Sequence, residues 1–282
     1  MENGAVKEVI DLDNLDKHSP DGGAAETNWI RHVPKGKGAP MLIGHHFSKT
    51  GGTSIIRHSH QSLTMRGIYT YGRAMNRQRL ENDQPLIYDE PRARLDAIKV
   101  LTGHGLTRHV VNLFTGRDAL LFTIVRDPFE RFASTYKHRQ RTRPEGHKPT
   151  PEAMFTKQPP NPFASELVRR FAPPGADASD WPTVRKALAK FDMVMATELI
   201  DEQNEHLFAH IGLPGTRERA RVYPEQPDLA GITRETIYER DPIDLEIHRR
   251  AVRAWRKRGK IQAFRPNAPS FTDGRPTGSE VA

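Results

Sequence analysis

Two short segments carry side chains suited to holding an anion. The first is His46-Phe47-Ser48-Lys49-Thr50-Gly51-Gly52-Thr53-Ser54, which follows an apolar run and leads into Ile55 and Ile56. Paired glycines let backbone amides curl around an oxyanion with no Cβ in the way. Thr53 and Ser54 add hydroxyl donors at a helix start, whose dipole already favours negative charge. Lys49 supplies a mobile positive charge above them. The order differs from a Walker loop, in which the lysine follows the glycines, so a nucleoside triphosphatase is disfavoured. A plain turn capped by Thr53 or Ser54 would explain the glycines and hydroxyls but not the lysine.

The second segment is Arg126-Asp127-Pro128-Phe129-Glu130-Arg131-Phe132-Ala133-Ser134-Thr135-Tyr136. Asp127 suits an N-cap and Pro128 the first turn of a helix. Arg131, Ser134 and His138 then share one face, with Phe129, Phe132, Ala133 and Tyr136 on the apolar side. Arg126 stands at the C-terminal end of a strand, where open parallel sheets bind ligands. An arginine fork there, with the Ser134 hydroxyl, can hold one phosphate from two directions. A structural ion pair of Arg126 with Asp127 or Glu130 is the competing reading.

The elements that must position these segments are legible as short apolar runs. Met41 to Phe47, Ile98 to Leu101, Ala119 to Val125 and Phe191 to Thr197 each end at turn chemistry, as strands buried on both faces do. Helical spacing follows at Leu199, Gln203, His206, Leu207 and His210, and again at Leu245, His248, Val252 and Trp255. The alternation predicts an α/β fold, a central parallel sheet flanked by helices. It divides the chain into a polar N-terminal arm over residues 1–39, one domain over 40–265 and a polar tail over 266–282.

Composition narrows the class. In 282 residues, 43 Lys and Arg against 35 Asp and Glu give a formal charge of +8, which favours anionic partners. No cysteine is present, which excludes disulfides and thiol catalysis and suits a reducing compartment. No long apolar run or signal-like start occurs, so the expectation is a cytoplasmic protein without stable membrane insertion. Arginines and Lys257 crowd Arg249 to Lys260, yet no aromatics interleave as single-strand binding requires, and nucleic acid is not expected as a partner. No acidic metal cluster is evident.

Together the two motifs resemble sulfotransferases that use 3′-phosphoadenosine 5′-phosphosulfate, most nearly the carbohydrate sulfotransferases whose loop reads Pro-Lys-Thr-Gly-Gly-Thr-Ser. Ser48 stands here where proline is usual. The resemblance spans about Met41 to Arg258 and implies the sulfotransferase fold, with a P-loop-like sheet. It implies that Ser48, Lys49, Thr50, Gly51, Gly52, Thr53 and Ser54 form the 5′-phosphosulfate loop and that Arg126 and Ser134 bind the 3′-phosphate. Lys49 would assist departure of the nucleotide phosphate without a metal. The glycan 2-O-sulfotransferase branch carries its base in a Gly-His after the strand that Ile98 to Leu101 matches, which points to His104. His46, a carboxylate or no dedicated base remain open.

The activity implied is sulfuryl transfer to a hydroxyl acceptor, a sugar or glycosylated metabolite. A protein that retains the nucleotide site without transfer is the alternative. Arg66 to Arg94 and Arg143 to Pro162 are candidate acceptor-binding or lid segments, because functional loops sit on the rim of such sheets; plain surface loops would look the same.

Overall fold

The computed structural model describes residues 36–215 and 227–258. Five strands form one all-parallel sheet: β1 (Pro40–His45), β2 (Ile68–Tyr71), β3 (Val100–Gly103), β4 (Asp118–Val125) and β5 (Met193–Ala196). Their spatial order is β2-β3-β1-β4-β5. Every residue of β1 after Pro40 is buried, as are all of β3 and β5 and all of β4 after Asp118. Such continuous burial is what helices on both faces of a parallel sheet produce.

The connecting helices run α1 (Gly52–Ser62), α2 (Arg73–Glu81), α3 (Arg92–Ala97), α4 (Arg108–Asn112), α5 (Pro128–Thr142), α6 (Pro151–Lys157), α7 (Pro162–Phe171), α8 (Trp181–Leu188), α9 (Ile200–Ala209), α10 (Arg234–Arg240) and α11 (Pro242–Arg258). One core cluster joins the sheet to α1, α7, α8, α9 and α11. A smaller one gathers Phe132, Ala133, Met154, Leu229 and Ile237 between α5, α6 and α10. Asp127 caps α5, accepting from the Glu130 amide at 3.1 Å, with Pro128 in the first turn as its sequence predicts.

The four anticipated strands are present with shifted ends, and a fifth was not anticipated. β2 lies inside the segment Arg66 to Arg94, which therefore supplies an edge strand and α2; Tyr69 and Ile87 are fully buried there. Its four residues, Ile-Tyr-Thr-Tyr, carry three hydroxyls and sit in a polar, arginine-rich stretch, so no apolar run marks them. The segment Arg143 to Pro162 carries α6, whose Met154 is buried. Gly36 and Gly38, within the expected arm, donate to the carbonyls of Arg117 and Gly116, both at 2.9 Å; residues 1–35 of that arm lie outside the described residues. The tail over 266–282 and Lys260 lie outside the described residues.

Arg117 closes the N-terminal edge of the sheet. Its guanidinium donates to the carbonyls of Ala39 at 2.8 Å, Asp96 at 3.1 Å and Ile98 at 3.1 Å, tying three segments together. At the back of α5, Arg131 is paired at 3.0 Å with Asp244, whose carboxylate also accepts from the Phe163 and Ala164 amides at 2.9 and 2.8 Å. Arg131 thus shares its helix face with Ser134 only nominally: it is buried and fixes α5, α7 and α11.

Candidate functional site

Parallel register decides which strand-end residues become neighbours. His45 pairs with Gly103 of β3, so the next residues, His46 and His104, emerge side by side; their rings lie 4.3 Å apart. Val125 pairs with Ala196 of β5, so Arg126 emerges beside Thr197. The C-terminal edge therefore presents the loop after β1 at the centre, His104 on one flank, and Arg126 with Thr197 on the other.

The loop between β1 and α1 is held by contacts from several directions. The Thr50 hydroxyl donates to the Phe47 carbonyl at 2.9 Å. Thr197 Oγ1 lies 2.9 Å from the Thr50 carbonyl and 3.0 Å from the Val125 carbonyl. Arg126 Nη1 reaches the Lys49 carbonyl at 3.4 Å. The Gly52 amide donates to His46 Nε2 at 2.9 Å. Between these pins the backbone turns through left-handed conformations at Lys49, φ 65°, and Gly51, φ 97°. For a lysine that conformation costs about 1–3 kcal/mol and persists only where surroundings enforce it. Gly52 matters for a different reason, since a Cβ there would stand 2.2 Å from the His46 ring.

Of the predicted loop residues, Ser48 and Thr53 are exposed at the mouth, Lys49 and Gly51 are half-buried, and Thr50, Gly52 and Ser54 are buried. The amide of Ser54 is turned back to the Gly51 carbonyl at 3.0 Å. Ser134 lies in the second turn of α5 and is partly exposed.

Arg126 is partly buried and only loosely paired: Glu130 stands 3.8 Å away. The anticipated ion pair to Glu130 thus exists, but as a long contact. Asp127 is committed elsewhere, to Arg234 at 3.1 Å and to the Tyr238 hydroxyl at 2.5 Å. Burial lowers the Arg126 pKa, with Glu130, Asp127 and Glu198 opposing it; a guanidinium stays charged regardless.

The two histidines differ in state. His46 is a capping residue: burial first, then His104 and Lys49, bring its pKa down to about 3, so its Nε2 is a permanent acceptor near neutrality. Its lone pair is used by Gly52, which speaks against a role as proton acceptor from a substrate. His104 is exposed, yet surrounding protein lowers its pKa below 6.5. A hydrogen bond to the His46 main chain and the Glu166 carboxylate oppose that shift, while Lys49 reinforces it. An accessible imidazole that is neutral at pH 7 is a competent proton acceptor.

Sequence reasoning passed over Thr197, which ties the loop to β4 and β5, and Arg170, whose Nη2 would be 3.1 Å from a Cβ on Gly105 next to His104. Thr197 could have been noticed as a hydroxyl at a strand's C-terminal end. Arg170 gave one signal, its i,i+4 spacing from Glu166, with which it pairs at 3.3 Å. Glu198, after β5, pairs with His248 at 2.6 Å.

No protein-family model and no curated protein matches the chain. Among the described residues, no cluster of three or more His, Asp or Glu side chains could hold a metal ion, and no helix is long and apolar enough to cross a membrane.

Proposed function

We propose that the protein transfers a sulfuryl group from 3′-phosphoadenosine 5′-phosphosulfate to a hydroxyl of a sugar or glycosylated metabolite. The observation that carries this reading is the convergence of three neighbouring strand ends: the Lys49 loop from β1, Arg126 from β4 and His104 from β3. Sulfuryl transfer needs one group of each kind. In the reaction the bond between sulfur and the bridging phosphate oxygen breaks as a bond forms from the acceptor oxygen to sulfur. The acceptor proton passes to His104, and the products are a sulfate ester and 3′-phosphoadenosine 5′-phosphate.

Lys49 offsets the charge that develops on the departing phosphate oxygen, a task for a preorganised cation at a helix start. Arg126 and Ser134 receive the 3′-phosphate, and Thr53 lies exposed where a 5′-phosphate would meet the start of α1. An arginine whose nearest carboxylate lies 3.8 Å away retains donors for a phosphate. The acceptor enters on the His104 side, where Arg170 adds positive charge.

Calorimetric titration with 3′-phosphoadenosine 5′-phosphate tests the reading, beside adenosine 5′-phosphate and the Arg126→Ala variant. Micromolar binding that requires both the 3′-phosphate and Arg126 is expected. Equal affinity for the two nucleotides, or no binding, would overturn the donor assignment.

A further inference from the structure

His46 touches both halves of the site. Its Nε2 accepts from the Gly52 amide at 2.9 Å, and its ring fills the space that the missing Gly52 side chain leaves open. The other face of the same imidazole packs on His104 at 4.3 Å, and the His46 main chain accepts a hydrogen bond from the His104 ring. The His46 amide in turn donates to the Gly103 carbonyl at 2.9 Å, so the residue is fixed to the strand that bears His104.

We infer that His46 is a positioning residue that couples the donor loop to the acceptor base, setting the separation of Lys49 and His104 through a single imidazole. The inference rests on the functional reading above and goes beyond it by assigning a role to a residue to which that reading gives no part in binding or transfer. In-line transfer requires the base on one side of the sulfur and the leaving-group cation on the other, and misplacement by about 1 Å costs about a hundredfold in rate. Here one ring controls that spacing. Because Nε2 acts as an acceptor, the residue works only as the neutral tautomer with its proton on Nδ1. The groups that face it are Lys49 on its own loop and His104 from β3, with His45 buried beneath.

The role separates from simple core packing by two readouts that need no acceptor. The variants are His46→Ala, which removes both contacts, and His46→Gln, whose side-chain oxygen can take the place of Nε2. The expected result is that His46→Ala weakens binding of 3′-phosphoadenosine 5′-phosphate about tenfold and raises the His104 pKa toward 6.5, read from its imidazole proton resonances. His46→Gln should restore the affinity to within about threefold. If His46→Ala does not fold, His46→Asn, too short to reach the Gly52 amide, replaces it. Unchanged nucleotide affinity, or an unchanged His104 titration in a folded variant, would overturn the coupling while leaving the functional reading intact. Failure of the wild-type protein to bind the nucleotide would overturn the functional reading, and the coupling with it.

Discussion

Strand β4 has an arginine at each end, and the two are treated in opposite ways. Arg117, just before it, is buried, with its guanidinium spread over the carbonyls of Ala39, Asp96 and Ile98. Arg126, just after it, has one long bond to the Lys49 carbonyl and a carboxylate 3.8 Å away. Saturation by carbonyls makes Arg117 a staple: its donors are spent on the fold. Loose pairing leaves Arg126 able to exchange Glu130 for a phosphate. The sheet is thus closed at its N-terminal edge and chemically open at its C-terminal edge, which is where the crossover geometry of a parallel sheet leaves room for ligands.

Substitutions should sort by edge. The largest effect is expected at the open edge: His104→Ala should lower transfer by about two to four orders of magnitude, the usual cost of a lost general base, with nucleotide affinity and melting temperature nearly unchanged. Turnover at the wild-type rate would remove His104 from the chemistry.

At the closed edge, Arg117→Ala should destabilise the protein by about 3 kcal/mol, because several buried carbonyls lose a charged donor together, while nucleotide affinity stays within about twofold. Arg126→Ala should do the reverse. It should weaken nucleotide binding by about 10- to 100-fold, the order of ~1.5–3 kcal/mol for a hydrogen bond to a charged group, with little change in chemical denaturation. If both variants lost stability alike, the distinction between the two edges would fail.

A pH series sharpens the contrast. His104 must be neutral to accept a proton, and its pKa lies below 6.5, so kcat/KM should be level near neutrality and fall only on the acid side of 6.5. Folding stability should fall over the same direction. His46 titrates near 3 when folded and near 6.5 when unfolded, so the unfolded chain binds the extra proton and acid favours it throughout that window. An acid limb of activity above pH 7 would contradict the assignment of His104. The smallest effect is expected for Arg234→Ala, which removes partly exposed contacts to Asp127 and Glu130 and should cost about 1 kcal/mol or less.

Much of this arrangement was legible in the chain. Strands buried on both faces announce themselves as unbroken apolar runs, and Asp127-Pro128 marks its helix start by capping chemistry alone. The Lys49 loop was readable because glycines, hydroxyls and a lysine crowd one strand end. What escaped were facts of register. Nothing local to His46 says that it abuts His104, 58 positions on in sequence; only the pairing of His45 with Gly103 does so. Thr197 is likewise an ordinary strand-end threonine until β5 is placed beside β4. Strand β2 was missed because Ile-Tyr-Thr-Tyr carries three hydroxyls within a polar, arginine-rich stretch and so reads as a surface loop.

The strand order has a consequence for how the chain acquires its site. β1 is synthesised first, yet both of its partners, β3 and β4, begin at residues 100 and 118. The nearer of them, at residue 100, starts 55 residues after β1 ends at residue 45, so until that stretch has left the ribosome the central strand has nothing to pair with, and pairing at such separations is slow. The early chain must therefore remain unaggregated with an apolar strand unpaired. The loop bearing Lys49 can settle only after Val125 and Thr197 have arrived, so the conformation of that loop during synthesis would report completion of the sheet.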